Sequence, residues 1–152
     1  NIIRHLLVWN IAVDLSLRDE AAFGASADDI IAFLGMEAIS AELASNLPQG
    51  HLRALGMAIG LATQPTVLLL DEPFAGMNHD ETMKMVTQVR RLRDERGVTV
   101  MLVEHDMPAV MKISDRIAVL DFGRKIAEGL PHEIRDNPDV IAAYLGVPDD
   151  AA

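Results

Sequence analysis

Val67-Leu68-Leu69-Leu70-Asp71-Glu72-Pro73 is the stretch that decides how this chain of 152 residues is read. Four apolar residues run directly into two carboxylates and a proline. A short unbroken apolar run suits a strand covered on both faces of a parallel sheet. The carboxylates then leave its C-terminal end, where open α/β sheets gather ligands. One acid at such an edge can hold Mg²⁺, and a second can poise a water for attack on a phosphate. A plain acidic turn after a strand has the same letters, so the neighbouring segments must decide.

Upstream, Leu47-Pro48-Gln49-Gly50 punctuates the chain, and a helix is expected from there to about Thr63. Leu52, Leu55, Ile59 and Ala62 would be its buried stripe, and Gln64-Pro65 ends it. Before Leu47 the chain reads as helical. Ile2, Ile3, Leu6 and Leu7 share a helical face, and Ser26 with Asp28 and Asp29 is a start signal for a helix over Ile30 to Leu34. Asp14 to Ala25 shows no period and is expected to be loop, and a small helix is expected over Glu37 to Ala44.

Downstream, Asn78 can cap a helix whose first turn carries Asp80 and Glu81 and which Gly97 can terminate. Met83, Val86, Val89 and Leu92 are its expected core stripe, with Arg90, Arg91 and Arg93 mostly elsewhere. A second apolar strand, Val98 to Val103, ends in Glu104-His105-Asp106. A helix over Met107 to Ile113 leads to a third strand, Ile117 to Leu120. Gly123-Arg124 turns into a short strand near Lys125 to Glu128, and small helices at Pro131 to Arg135 and Pro138 to Leu145 close the order. Alternating strands and helices predict right-handed crossovers and a largely parallel sheet.

Two successive strands thus end in charged clusters, which a parallel sheet places on one side. A metal site of Asp71, Glu72 and His105 without nucleotide is also open, since carboxylate and imidazole are ordinary ligands. The formal net charge of −10 argues against a nucleic-acid footprint, which draws on clustered Lys and Arg. There are no cysteines, so disulfides and thiolate zinc sites are excluded. No apolar run approaches the roughly 20 residues of a membrane span. The chain reads as a cytoplasmic domain, and because it starts at Asn1 it is expected to be part of something longer.

From Leu47 to Gly146 the order of these segments resembles the C-terminal half of an ABC-transporter ATP-binding subunit. A signature-like segment precedes a helix, Val67 to Glu72 resembles a Walker B strand with its glutamate, and Ala75-Gly76-Met77-Asn78 stands where the D-loop lies. Leu102 to Met107 resembles the switch-histidine strand. Asp-Glu-Pro-Phe-Ala-Gly-Met-Asn, Ser-Asp-Arg-Ile-Ala-Val-Leu and Ala-Ala-Tyr-Leu-Gly look like importers of branched-chain amino acids and related small solutes. The resemblance implies an α/β, P-loop NTPase-like, mostly parallel sheet with flanking helices. It divides the chain into a helical subdomain (1–46), the C-terminal part of the ATPase core (47–130) and C-terminal helices with a tail (131–152).

It also implies roles. Asp71 would hold Mg²⁺, Glu72 would orient and help deprotonate the attacking water, and His105 would contact the γ-phosphate of ATP. Pro48, Gln49, Gly50 and His51 would face nucleotide held by a second ATP-binding subunit, and Gly76, Met77 and Asn78 would cross to that subunit. Transmembrane permease subunits are the other implied partners, at the inner face of the plasma membrane.

Two departures qualify this. Where the family has Leu-Ser-Gly-Gly-Gln, this chain has Leu47-Pro48-Gln49-Gly50-His51, so the serine hydroxyl is missing and Pro48 lacks an amide hydrogen. His51 could compensate in part. Nor is there a P-loop: Lys84, Lys112 and Lys125 are the lysines, and none follows a glycine. The P-loop half of the fold is therefore expected to lie outside this sequence. An uncovered apolar sheet face and self-association of the chain are expected in consequence.

Overall fold

The computed structural model describes residues 20–145, which fall into two compact units divided between Glu104 and His105. In the first unit, helix α1 (Glu20–Phe33) is followed by two short 3-10 turns, Glu37–Ile39 and Ala44–Asn46. Helix α2 (Gln49–Ala62), strand β1 (Val67–Asp71), helix α3 (His79–Arg96) and strand β2 (Thr99–Val103) complete it. The second unit holds helix α4 (Met107–Ile113), strands β3 (Ile117–Asp121) and β4 (Arg124–Gly129), and helices α5 (Pro131–Arg135) and α6 (Pro138–Leu145).

β1 and β2 pair in parallel, in a register from Val67 opposite Thr99 to Asp71 opposite Val103. α2 packs on α1, α3 and β1, and α3 packs on β2. Helix and sheet come close at Gly60, where a Cβ would stand 2.9 Å from Cδ1 of Leu68. The buried core of this unit includes Leu34, Met36, Leu55, Met57, Leu68, Val86, Val89 and Leu92.

Local chemistry sets the ends of α3. Asn78 is extended and its Oδ1 accepts from the Glu81 amide at 3.0 Å. The Glu81 carboxylate accepts from the Asn78 amide at 3.0 Å, closing a capping box. Gly97 is left-handed, φ 65°, and Val98 N–H reaches back to Leu92 O at 3.2 Å, the arrangement that glycine permits at a helix C-terminus.

In the second unit, β3 and β4 form an antiparallel hairpin with Asp121 opposite Arg124. Phe122 and Gly123 make its two-residue turn, both with positive φ (42° and 77°), as a type I′ turn requires. α5 and α6 pack against β4, and Ala109, Val110, Ile113, Ile117, Ile134 and Val140 are buried.

The α/β class and the parallel pairing of the two acid-bearing strands hold, and several finer expectations do not. The third strand is not in the parallel sheet; it pairs with β4 in a sheet of its own. Helix α1 already starts at Glu20, so Ser26 lies inside it and residues 20–25 are not loop. Glu20, Ala21 and Ala22 favour helix strongly enough to carry Gly24. The small helix at Glu37 to Ala44 is replaced by the two 3-10 turns. Leu52 is exposed and Met83 half-buried, while Ala54, Met57, Ala58 and Met85 fill the core instead. The apolar face of residues 2–7 lies outside the described residues.

β1 and β2 are also not covered on both faces. Leu68 is buried and Leu70, Val100 and Leu102 are partly covered on the helix side. On the other side Val67 is 54% exposed, Leu69 70%, Met101 63% and Val103 58%. The outer edges of both strands are unpaired among the described residues.

Candidate functional site

The parallel register brings the ends of β1 and β2 side by side, so Asp71 lies opposite Val103. Glu72 N–H continues the ladder by donating to Val103 O at 2.9 Å. Glu72 itself is left-handed, φ 44°, which glycine adopts freely and a side-chain-bearing residue adopts under strain. The chain then turns sharply. Ala75 N–H donates to Glu72 O at 3.1 Å and Met77 N–H to Phe74 O at 3.2 Å, with Gly76 at φ 76°. Pro73 and Phe74 are buried, whereas Asp71 and Glu72 are exposed at the strand end. Phe74 N–H donates to Glu104 Oε1 at 2.8 Å.

Gln49 and Gly76 are far apart in sequence but touch: a Cβ on Gly76 would stand 3.2 Å from Gln49 Cγ. A Cβ on Gly50 would lie 3.4 Å from the Glu81 side chain. The start of α2, the Gly76–Asn78 segment and the capping box of α3 therefore form one continuous patch. Pro48 caps α2 from an extended conformation (φ −57°, ψ 156°) without a side-chain hydrogen bond. The first-turn amides of α2 have no intrahelical partner and form the positive end of a 14-residue helix. Gln49 and His51 are exposed, and Gly50 is half-buried. His105 is exposed and opens the second unit, and Asp106 caps α4 by accepting from Ala109 N–H at 3.1 Å.

Two carboxylates at a strand end suit Mg²⁺, which is held by one or two acids plus substrate phosphate oxygens rather than by a protein cage. Among the described residues no three His, Asp or Glu side chains gather into a metal cluster. The open first turn of α2 suits an anion. Two clefts of about 290 Å³ each are formed elsewhere. One is lined by Phe33, Leu61, Gln64 and Arg96, the other by Met107, Met111, Ile141 and Tyr144, and neither includes Asp71, Glu72 or Glu104.

Sequence reading placed Glu104 in a charged cluster but gave it no role of its own; its bond to an amide 30 residues away appears in the fold. That reading missed the ties between α3 and the end of α1. Arg91 and Arg96 stack over the Phe33 ring at 4.4 and 4.6 Å, and Arg91 Nη1 donates to Phe33 O at 3.0 Å. The Gln88 amide donates to Leu34 O, and Arg96 pairs with Asp29 at 2.8 Å. No spacing in the chain announces contacts of that range.

This arrangement of strands and helices is the fold of an ATP-binding cassette ATPase domain, present in part. The solved structure of MJ1267, an ATP-binding cassette of an ABC transporter, superposes with a TM-score of 0.82. That match is 24% identical, a likeness of fold, and covers 95% of this chain and 62% of that one.

Within that class the likeness is to branched-chain amino acid transporters. Residues 124–150 match the family "Branched-chain amino acid ATP-binding cassette transporter". The chain is 52% identical over 103 residues to the high-affinity branched-chain amino acid transport ATP-binding protein LivG of Salmonella typhimurium. It is 50% identical over the same length to BraF of Pseudomonas aeruginosa. Each of these two matches covers 68% of this chain and 40% of the relative, so the alignment spans about two-fifths of the relatives' length.

Proposed function

We propose that this chain supplies the Walker B, D-loop and switch-histidine portion of the ATP-hydrolysing subunit of an ABC importer for branched-chain amino acids or related small solutes. The observation that carries the reading is the adjacent pair Asp71 and Glu72, exposed at the C-terminal end of β1 beside the end of β2. Asp71 holds Mg²⁺. Bound with nucleotide, the metal supplies the positive charge that offsets the phosphate oxygens. Glu72 orients the attacking water and accepts its proton, and His105 contacts the terminal phosphate. Gln49, Gly50 and His51 face nucleotide on a second subunit, with Pro48 fixing the start of their helix. Gly76, Met77 and Asn78 cross to that subunit. Of the described residues, 20–46 belong to the helical subdomain, 47–130 to the ATPase-core part and 131–145 to the closing helices. The subunit works at the cytoplasmic face of the membrane against permease subunits. Among the described residues no helix is long and apolar enough to cross it.

In the full-length protein, Glu72→Gln is expected to slow ATP hydrolysis about a hundredfold or more while leaving ATP binding intact. Loss of ATP binding in that variant contradicts the role given to Glu72.

A second reading is favoured by one observation, the absence of any Gly-Lys pair in the chain. By itself the chain then hydrolyses nothing and acts, if at all, as an interaction module. Magnesium-dependent ATP turnover by the isolated chain that disappears in Glu72→Gln excludes this second reading.

A further inference from the structure

Glu104 has no place in the mechanism above, yet it bonds to the segment that carries Glu72. The strained residue lies between two attachments to the end of β2. On one side Glu72 N–H donates to Val103 O at 2.9 Å, and on the other Phe74 N–H donates to the Glu104 carboxylate at 2.8 Å. Pro73 between them has no amide hydrogen to offer, so these are the attachments the two adjoining amides make to β2. Phe74 is buried, and its amide would lose its acceptor in a partly buried place without the carboxylate. A left-handed Glu72 relaxes unless its surroundings hold it.

We propose that Glu104 is a positioning residue whose carboxylate clips the Glu72–Pro73–Phe74 turn to the end of β2 and so fixes the direction in which Glu72 leaves the strand. A hydrogen bond accepted by a charged carboxylate is about twice as strong as a neutral one, which suits it to hold a strained turn. The clip is a statement about this chain's own geometry; its effect on turnover rests on the hydrolytic role proposed for Glu72.

The test combines amide hydrogen exchange at Phe74 and Ala75 with steady-state ATP hydrolysis, both on the full-length protein. Glu104→Ala is expected to speed exchange at Phe74 by about tenfold or more. It should lower kcat by about ten- to a hundredfold with KM for ATP little changed. Glu104→Gln keeps an acceptor oxygen at the same reach but without the charge, and should restore both in part. Glu104→Asp keeps the charge but is one methylene short, and should show the Ala defects in smaller measure. If Ala destabilises the whole protein, the Asp variant decides.

Unchanged Phe74 exchange in the Ala or Asp variant overturns the clip. Faster exchange with unchanged kcat overturns the link to catalysis. If the wild-type protein hydrolyses no ATP while Phe74 exchange still rises, the proposed function fails and the clip stands.

Discussion

Glu128 shows how a single exposed side chain can carry a pH dependence. Lys125 Nζ, 2.5 Å away, and then Arg116 Nε, at 2.8 Å, hydrogen-bond to its carboxylate. They hold its pKa down from an ordinary 4.5 to about 2. The folded value lies below the unfolded one, so the unfolded chain takes up the proton more readily. The stabilisation is therefore fully present above about 4.5 and fades as pH falls toward about 2. Urea midpoints of wild type and Glu128→Gln should converge through that window. A difference that stays constant down to the acid end refutes the assignment. Because the group is exposed, the effect is screened by salt and modest in size.

At the scale of elements, β1 is one strand with two unlike faces. Leu68 is buried under α2, whereas Leu69, the next residue, is mostly in water. Leu68→Ala should cost roughly 2–4 kcal/mol in urea unfolding, and Leu69→Ala about 0.5 kcal/mol or less. Equal losses would mean that the exposed face is covered. The start and stop of α3 were legible in the chain, because Asn78, Glu81 and Gly97 act on their own neighbours. So were Asp71 and Glu72 at a strand end, through the abrupt change from apolar to acidic. The partner of β3 was not. Alternation of strands and helices suggested a crossover, but two residues, Phe122 and Gly123, allow a local hairpin that closes at far smaller entropic cost. The Phe33 clamp and the Glu104 clip were illegible for a related reason: each joins residues 30 or more apart through groups that have ordinary surface uses.

For the whole molecule, the exposed side of β1 and β2 is expected to set behaviour in solution. Val67, Leu69, Met101 and Val103 lie on one face, in register, beside strand edges that are unpaired among the described residues. Such a surface invites association. The isolated chain should exceed its monomer mass in size-exclusion chromatography with light scattering at micromolar concentration. Leu69→Lys with Met101→Lys should return it toward monomer. The net charge of −10 opposes self-contact, so association should strengthen as carboxylates protonate below roughly pH 5. A clean wild-type monomer across that range would count against the association.

The left-handed backbone of Glu72 bears on any effort to evolve or engineer this protein. Glycine or asparagine at position 72 would relieve the strain, and neither has a carboxylate to take a proton. A variant library ranked by heat resistance would thus drift toward those residues, while one ranked by turnover would hold on to glutamate. Disagreement between the two rankings at position 72 is what a residue kept for its chemistry, against its conformational preference, should produce.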